Sequence, residues 1–479
     1  MYAVLKEFDR TALAAALLCF IISGCLSCNP SGRGKGPASA EVWLTNMDQS
    51  AILELQEKPL EFVKMEAAAS AIEVSPELTF QTMDGFGFTL TGGSATLIHN
   101  MEDATRNKLL NELFSTEGEG INISYLRVSI GASDLNEFVF SYNDLPSGGT
   151  DLQMEKFSLD HDRVALIPVL KEILEISPDI KILGSPWSPP VWMKTNKDTR
   201  GGSLMPEYYD AYALYFVRYV QDMKAEGIRI DAITVQNEPL HPGNNPSLLM
   251  LAKDQADFIK NHLGPAFEKA GIDTKIILYD HNADRPDYPM SILEDEEAAK
   301  YVDGSAFHLY NGEIEALSEV HNAFPEKHIY FTEQWVGAPG DFSKNFSWHT
   351  RELIIGATRN WSRNVLEWNL AADPNQDPHT DRGGCDRCLG ALTIDQNNVT
   401  RNVAYYIIAQ VSKFVPPGSV RIFSGLREGL NNVAFKTPEN KIVLLVQNDD
   451  SAARTFEISC EGKTAKTTLE GGSVATFVW

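Results

Sequence analysis

The sequence carries little positive charge for its length. Its 479 residues include 41 Lys and Arg against 65 Asp and Glu, which gives a formal net charge of −24 and a pI ≈ 4.8. Binding to nucleic acids and other polyanions depends on clustered Lys and Arg. The composition therefore argues against a nucleic-acid partner and favours an uncharged substrate, although acidity that only keeps an exported protein soluble gives the same balance.

An apolar run long enough to span a bilayer is lacking at the N-terminus. The run from Ala12 to Ile22 is too short for a membrane helix, but it follows Lys6 and Arg10 as in a secretory signal. It leads into Ile22-Ser23-Gly24-Cys25, which resembles a bacterial lipobox. We therefore expect residues 1–24 to be a signal peptide and Cys25 to be lipidated, with ordinary cleavage nearby as the alternative. The protein would be an exported bacterial lipoprotein, periplasmic or anchored at the outer membrane or cell surface, and would meet the membrane only through this lipid.

Cysteine is also scarce, with six residues in the whole chain. Cys19, Cys25 and Cys28 belong to the N-terminal segment, and Cys385, Cys388 and Cys460 belong to the body. A Cys-x-x-Cys pair could be redox-active or half of a zinc site, but no second Cys pair or close His pair completes a tetrahedral set. The glycines near residue 85 lack the spacing of a phosphate-binding loop. The sequence therefore predicts neither a metal nor a cofactor.

Beyond the N-terminus, the pattern of residues divides the chain into a tether, a barrel and a β-rich remainder. Residues 25–40 are rich in Gly, Pro and Ser, as in a flexible tether. Residues 82–414 alternate short apolar runs with long helical patterns, which predicts βα units and a parallel sheet. Residues 41–81 and 415–479 are typical of short strands. We predict that these two segments form one side β-sandwich built from both chain ends.

Eight strand candidates occur in the barrel segment, and eight parallel units favour a closed (β/α)8 TIM barrel over an open doubly wound sheet of five or six strands. The candidates are Thr82–Thr89, Ile123–Ile130, Lys181–Trp187, Ala232–Glu238, Lys275–His281, Ser305–Tyr310, His328–Trp335 and Val365–Leu370.

Two glutamates stand at the ends of predicted strands. Glu238 follows an apolar β-branched run and precedes Pro239, and Glu333 ends the seventh candidate. The carboxyl ends of all eight strands meet at one rim of a barrel. Paired carboxylates across a pocket are what hydrolysis of a glycosidic bond requires. We predict Glu238 as the acid/base, with a raised pKa, and Glu333 as the nucleophile; a surface glutamate at the start of a loop is the alternative for Glu238.

Other side chains at the same rim suit a sugar site. Arg127 lies in the second strand, where it would pair with Glu333, lower its pKa and keep it ionised, unless it forms a structural Arg–Asp pair. Asn237 suits a donor to the 2-hydroxyl of the sugar. One of Trp187 and Trp192 should offer its flat face to the substrate, and Trp187 is better placed.

The remaining candidates follow the second, sixth and eighth strands. Asp134 either accepts hydrogen bonds from sugar hydroxyls or caps its own loop. The sixth and eighth strands end in His308, Tyr310, Trp368 and Asn369.

Six motifs on consecutive strands resemble glycoside hydrolase family 30. They are Met83-Asp84-Gly85-Phe86-Gly87, Leu126-Arg127-Val128, Ser185-Pro186-Trp187-Ser188-Pro189-Pro190, Gln236-Asn237-Glu238-Pro239, Thr332-Glu333 and Glu367-Trp368-Asn369-Leu370. The resemblance covers residues ~70–479. It implies a retaining (β/α)8 barrel fused to a β-sandwich, with Glu238 as acid/base and Glu333 as nucleophile. It places around the sugar at the cleavage point Arg127, Asp134, Trp187, Asn237, Tyr310 and Trp368.

The loop after the eighth strand, residues 383–390, resembles the cysteine-containing loop of the β-1,6-glucanase subfamily, although Leu389 stands where that subfamily has an arginine. In an exported protein we expect Cys385 and Cys388 to form a small-loop disulfide and Cys460 to be buried and unpaired. The predicted activity is hydrolysis of β-1,6-linked glucan. The alternatives are an exo-β-glucosidase, β-xylosidase or glucosylceramidase of the same fold, and a non-catalytic glycan-binding lipoprotein, which would have no need of both glutamates.

Overall fold

The computed structural model describes residues 36–479. The predicted signal peptide, Cys25 and most of the tether lie outside the described residues. Within the described part of the chain, no helix has both the length and the apolar character that crossing a membrane requires.

Eight parallel strands form a closed barrel, in which the first strand pairs with the eighth. The strands are Gly85–Thr89, Tyr125–Ser129, Lys181–Ser185, Ala232–Thr234, Lys275–Asn282, Val302–His308, His328–Glu333 and Ser362–Asn369. Each one falls within or overlaps a predicted segment, so the predicted fold class is confirmed.

Side chains fill the inside of the barrel. One buried layer takes a residue from seven of the eight strands: Tyr125, Leu183, Ala232, Ile277, Ala306, Tyr330 and Leu366. The missing side chain belongs to the first strand, where a Cβ on Gly87 would lie 1.9 Å from the carbonyl oxygen of Tyr125. Because the interior is packed, a substrate can reach only the rim of the barrel.

Helices surround the barrel and pack against it through buried apolar side chains. The helix Tyr209–Ala225 buries Tyr212, Phe216 and Val220, which recur every four residues, and Gly227 follows its end with a φ of +86°. The α-helices are Gly92–His99, Asp103–Phe114, Leu166–Ile176, Tyr209–Ala225, Ala252–Phe258, Gly264–Ala270, Asp287–Leu293, Glu296–Ala299, Ala316–Ala323, Phe342–His349 and Val403–Ser412. Two π-helical segments, Ile259–Leu263 and Thr350–Ala357, continue helices, and Val191–Met193 and Pro206–Tyr208 are short 3-10 turns.

Both ends of the chain build the side β-sandwich. Ser39–Thr45 pairs antiparallel with the C-terminal strand Val474–Val478, and Ile72–Thr82 pairs with Val420–Ser424. The other strands are Glu54–Leu55, Leu60–Glu61, Leu430–Lys436, Ile442–Asn448, Arg454–Cys460 and Lys463–Leu469. The predicted sandwich from both chain ends is therefore confirmed.

The first barrel strand begins later than predicted. Thr82 ends a sandwich strand, and Gly85, with a φ of +144°, turns the chain into the barrel. Two small sheets lie outside these layers: Val336–Gly337 with Cys388–Leu389, and Ala371–Ala372 with Leu392–Asp395 and Asn398–Arg401.

Candidate active site

A cleft of ≈ 380 Å³ opens at the carboxyl ends of the barrel strands. Six of the predicted site residues line it: Asp134, Trp187, Glu238, Tyr310, Glu333 and Trp368. A larger neighbouring cavity of ≈ 580 Å³ is lined by Phe140, Trp192 and Tyr208 but by neither glutamate. The smaller cleft is therefore the candidate active site, and Trp192 lies outside it.

Glu238 reaches the cleft through an irregular segment of backbone. Its strand ends at Thr234, four residues earlier, and Glu238 itself has a φ of +44°. The backbone N–H of Glu238 donates to the carbonyl oxygen of Asp280, 2.9 Å away, and Pro239 then prevents the strand from continuing. Left-handed backbone at a non-glycine residue is costly and concentrates at functional sites.

Two donors hold Glu333 at the end of the seventh strand. Arg127 Nη1 lies 2.5 Å from Glu333 Oε2, and the hydroxyl of Tyr310 donates to Glu333 Oε1 at 3.0 Å. Both oxygens of this buried carboxylate are therefore fixed in direction.

Arg127 is the centre of a buried network. Its Nη2 donates to Asp280 Oδ2 at 2.8 Å and to Asn237 Oδ1 at 2.6 Å, while its other terminal nitrogen binds Glu333. The pair with Glu333 and the structural Arg–Asp pair, which the sequence offers as alternatives, therefore occur together. Because Arg127 occupies the amide oxygen of Asn237, the amide nitrogen is the end that can donate to a sugar hydroxyl.

His308 lies beneath the two glutamates and is fully buried. Its Nδ1 is 3.3 Å from Glu238 Oε1 and 3.8 Å from Glu333 Oε1, and its Nε2 is 3.0 Å from Asp280 Oδ1. His308 is not among the residues that line the cleft, so its binding of the substrate stays a prediction. As the last residue of the sixth strand it points into the barrel and contacts the carboxylates.

Sequence reasoning missed Asp280 and His281. They lie in the fifth strand, Lys275–Asn282, where His281 lines the cleft and Asp280 joins Arg127 to His308. The sequence does contain a sign of them, because Asp280 and His281 are adjacent polar residues near the end of a largely apolar barrel strand. Glu333 was selected by a similar position at the end of an apolar run.

The pKa shifts of the two glutamates run opposite to the predictions. Burial alone would raise the pKa of Glu238, but His281 and His308 beside its carboxylate hold it below its usual range. Burial raises the pKa of Glu333, and the opposing charges of His308 and Arg127 do not outweigh it. The predictions failed because the two histidines face Glu238, which its neighbours in sequence do not show.

Two further groups in the site have shifted pKa values. Burial would lower the pKa of His308, but the charge of Glu333 and the contacts with Asp280 and Glu238 raise it to about 9. Burial, together with the charges of Glu333 and Glu238, raises the pKa of Asp134 to about 8. Asp134 Oδ1 is buried and has no hydrogen-bond partner within residues 36–479, so it is available to a sugar hydroxyl.

Aromatic rings form the floor of the cleft. The rings of Trp187 and Trp368 lie 5.4 Å apart, and the guanidinium of Arg127 stands 4.8 Å from the centre of the Trp187 ring. Trp192 instead packs in the neighbouring cavity, where its Nε1 donates to the backbone oxygen of Asn143 at 3.0 Å. Of the two tryptophans, Trp187 is thus the one that lines the cleft.

The loop after the eighth strand forms one wall. Cys385 and Cys388 are joined by a disulfide, and Cys388 packs against Trp187 and Trp368. The guanidinium of Arg387 lies 5.8 Å from the ring of Trp335, which also lines the cleft. Leu389 pairs with Val336 in a two-stranded ribbon, and in the described part of the chain Cys460 is buried and free.

The sequence was compared with protein-family models and with known proteins. The chain matches the model of the glycosyl hydrolase family 30 TIM-barrel domain over residues 83–415 and that of the family 30 beta sandwich domain over residues 418–477. It is 38% identical to an endo-1,6-beta-D-glucanase of Neurospora crassa over 365 residues, which is 74% of each chain. It is 30% identical to the lysosomal acid glucosylceramidase of Mus musculus over 437 residues, 85% of this chain and 83% of the relative.

A solved structure gives a similar result. The structure of an endo-beta1,6-glucanase is 35% identical to this chain and superposes with a TM-score of 0.84, covering 92% of this chain and 99% of the other. The likeness therefore includes the barrel and the sandwich together.

Proposed function

The chain belongs to glycoside hydrolase family 30, and from that premise we propose that it is a retaining endo-β-1,6-glucanase. Glu333 is its nucleophile and Glu238 its acid/base. The sugar at the cleavage point is bound by Asp134, Trp187, Asn237, Tyr310 and Trp368, and the fully buried Arg127 orients Glu333 and Asn237.

The observation that carries this proposal is the approach of two buried carboxylates to one imidazole nitrogen. His308 Nδ1 lies 3.3 Å from Glu238 and 3.8 Å from Glu333. These contacts limit the distance between Glu238 Oε1 and Glu333 Oε1 to at most about 7 Å, a limit that admits the ~5–5.5 Å separation of retaining enzymes and excludes most of the ~6.5–9.5 Å range of inverting ones.

The contacts of the two groups support different roles. Arg127 and Tyr310 aim the oxygens of Glu333, which suits attack on the anomeric carbon. In the first step Glu333 bonds to that carbon while Glu238 gives a proton to the departing sugar oxygen. In the second step Glu238 takes a proton from water, which displaces Glu333 and restores the starting state.

The acid step requires a protonated Glu238, and a bound sugar would favour that form. It would exclude water from Glu238, and loss of solvation favours the neutral form of a carboxyl group. His308, 3.3 Å away, is placed to pass a proton to it.

The preference for β-1,6 linkages is supported by the relatives and by the wall of the cleft. Endo-1,6-β-glucanases resemble the chain over the barrel and the sandwich. The disulfide loop holds Cys388 against both tryptophans, so the loop shapes the space next to the cleaved bond.

Product analysis tests the proposal. The protein is incubated with β-1,6-glucan, and with β-1,3-glucan and β-1,4-xylan as controls, while NMR follows the anomer formed first. We expect oligosaccharides from β-1,6-glucan alone, released in the β-configuration. Glucose as the only product would support the exo-β-glucosidase alternative, first release of the α-anomer would contradict retention, and no product would favour the glycan-binding lipoprotein.

We also infer that the enzyme is exported and held at a bacterial membrane through Cys25. The support is the apolar run Ala12 to Ile22 followed by Ile22-Ser23-Gly24-Cys25. In a bacterial host, the protein should fractionate with membranes and carry a lipid on Cys25 by mass spectrometry. A Cys25→Ser variant that stays in the membrane fraction would contradict this inference.

A further inference from the structure

A group of three potential metal ligands lies beside the predicted acid/base. Glu238, His281 and His308 each offer one ligand atom, and the three atoms lie within 4.8 Å of one another. His308 Nδ1 is 3.3 Å and His281 Nδ1 is 3.7 Å from Glu238 Oε1. Tetrahedral zinc ligands ~2.0–2.2 Å from the ion stand ~3.3–3.6 Å from one another. The two separations from Glu238 Oε1 are close to this range, and the widest separation among the three atoms, up to 4.8 Å, must shorten by about 1 Å for zinc to bind.

His281 gives an independent sign that a ligand belongs here. Its side chain is nine-tenths buried, its Nδ1 faces Glu238, and this nitrogen has no hydrogen-bond partner within residues 36–479. At 3.7 Å the carboxylate is too far for a hydrogen bond. A buried polar atom without a partner is costly, and an ion between the two groups would satisfy it.

Asp280 prepares His308 to act as a ligand. Its Oδ1 lies 3.0 Å from His308 Nε2 and keeps a proton on that nitrogen, so when zinc displaces the proton of Nδ1 the neutral ring offers its Nδ1 lone pair to the ion. A carboxylate behind a histidine is the usual support of zinc-bound imidazole. Thr332 and Thr234 donate to Asp280 at 2.6 and 2.7 Å and hold it in place.

From these contacts we propose that Glu238, His281 and His308 form an inhibitory site for zinc(II). Two imidazole nitrogens and one carboxylate oxygen are a zinc donor set, whereas calcium and magnesium prefer oxygen ligands alone. Glu238 and His281 line the cleft, so the ion can enter from solvent. Zinc on Glu238 blocks the oxygen that must exchange a proton with the substrate, and the inhibition is therefore competitive.

This inference rests on the proposed role of Glu238, so binding and inhibition are measured separately. The full chain, without a histidine tag, is titrated with ZnCl2 in a calorimeter, and hydrolysis of β-1,6-glucan is measured at increasing ZnCl2. We expect one zinc per chain, competitive inhibition reversed by EDTA, and no inhibition by CaCl2 or MgCl2 at the same concentrations.

The deciding variant is His281→Phe, which keeps a flat ring and removes the nitrogen. We expect its zinc affinity to fall at least tenfold. Its inhibition constant for zinc, measured relative to the activity of the same variant without zinc, should rise by the same factor. His281→Asn serves if the phenylalanine variant does not fold. His262→Gln removes a histidine paired with Asp210 outside the cleft and should bind zinc like the parent protein.

The outcomes separate the two proposals. Unchanged zinc affinity in both His281 variants, or hydrolysis without any stoichiometric zinc binding, would overturn the zinc site. Stoichiometric binding that depends on His281 in a protein that hydrolyses no glycan would support the site and refute the hydrolase role.

Discussion

Arg127 and Asp280 form an ion pair of 2.8 Å in which neither side chain has any exposed surface. Asp280 also contacts His308, and Arg127 also contacts Glu333 and Asn237. The pair therefore connects both glutamates through residues of the second and fifth strands. A charged pair inside a barrel costs much desolvation, which suggests that its value lies in positioning the reacting groups.

Asp280→Asn should lower kcat on β-1,6-glucan at least ~10²-fold, because Arg127 and His308 lose the group that orients them. KM should change much less, since Asp280 does not line the cleft. Steady-state kinetics and urea unfolding would measure both effects.

The matched control is Asp84→Asn. Asp84 is also a buried aspartate in ion pairs, with Lys181 at 2.8 Å and Arg363 at 3.0 Å, but it precedes the first strand at the opposite end of the barrel. The Asp84→Asn variant should be less stable than the parent protein and should have the same kcat. Equal kcat for Asp280→Asn and the parent protein would show that the Arg127–Asp280 pair is only structural.

Replacing each glutamate by glutamine should impair a different step of catalysis. Glu238→Gln should lose ~10²–10⁴ in turnover of glucan, the amount typical of general acid–base catalysis. An aryl β-glucoside with a good leaving group needs no acid for the first step, so this variant should accumulate a glycosyl-enzyme visible by intact-mass spectrometry. Glu333→Gln should form no adduct.

A covalent adduct in Glu333→Gln would refute its assignment as nucleophile. Near-normal glucan hydrolysis by Glu238→Gln, with an unchanged circular dichroism spectrum, would refute its assignment as acid/base.

The sequence was sufficient for the barrel because each strand is a short buried apolar run between helices. It also predicted that Glu333 and Glu238 lie at one rim of the barrel, where the structure has them, since each ends or closely follows such a run. The role of Asp280 was not predictable in this way, because its contact with Arg127 spans 153 positions and exists only once the barrel closes. The pKa directions failed for the same reason: they depend on His281 and His308, which reach Glu238 from other strands.

The disulfide loop should matter for substrate binding more than for chemistry. Changing both Cys385 and Cys388 to serine releases the wall that packs on Trp187 and Trp368. We expect KM for β-1,6-glucan to rise several-fold, while kcat on a small aryl β-glucoside stays within about twofold, because the glutamates are held by the barrel strands.

Treatment of the parent protein with a reductant should reproduce the effect on KM. Cys460→Ala is the control, since the sulfur it removes lies in the sandwich and not in the cleft. A variant without the disulfide that keeps the parent KM on glucan would show that the loop does not shape the binding site.

The stability that Asp84 contributes should depend on pH. Burial alone would raise the pKa of Asp84, but Arg363 and Lys181 hold it below its usual range. A carboxylate with a lowered folded-state pKa stabilises the protein above its unfolded pKa of ~3.9, and the stabilisation is lost as the pH falls through the folded value.

At pH 7 we expect Asp84→Asn to lower the free energy of unfolding by ~2–3 kcal/mol. This is less than the ~3–5 kcal/mol expected for a fully buried ion pair, because Arg363 and Lys181 keep some contact with water. Urea unfolding should be measured from pH 7 to pH 3, and the free energies of unfolding of the parent protein and of Asp84→Asn should approach each other below pH ~4. A difference in free energy that stays constant over this range would mean that packing, and not charge, sets the contribution of Asp84.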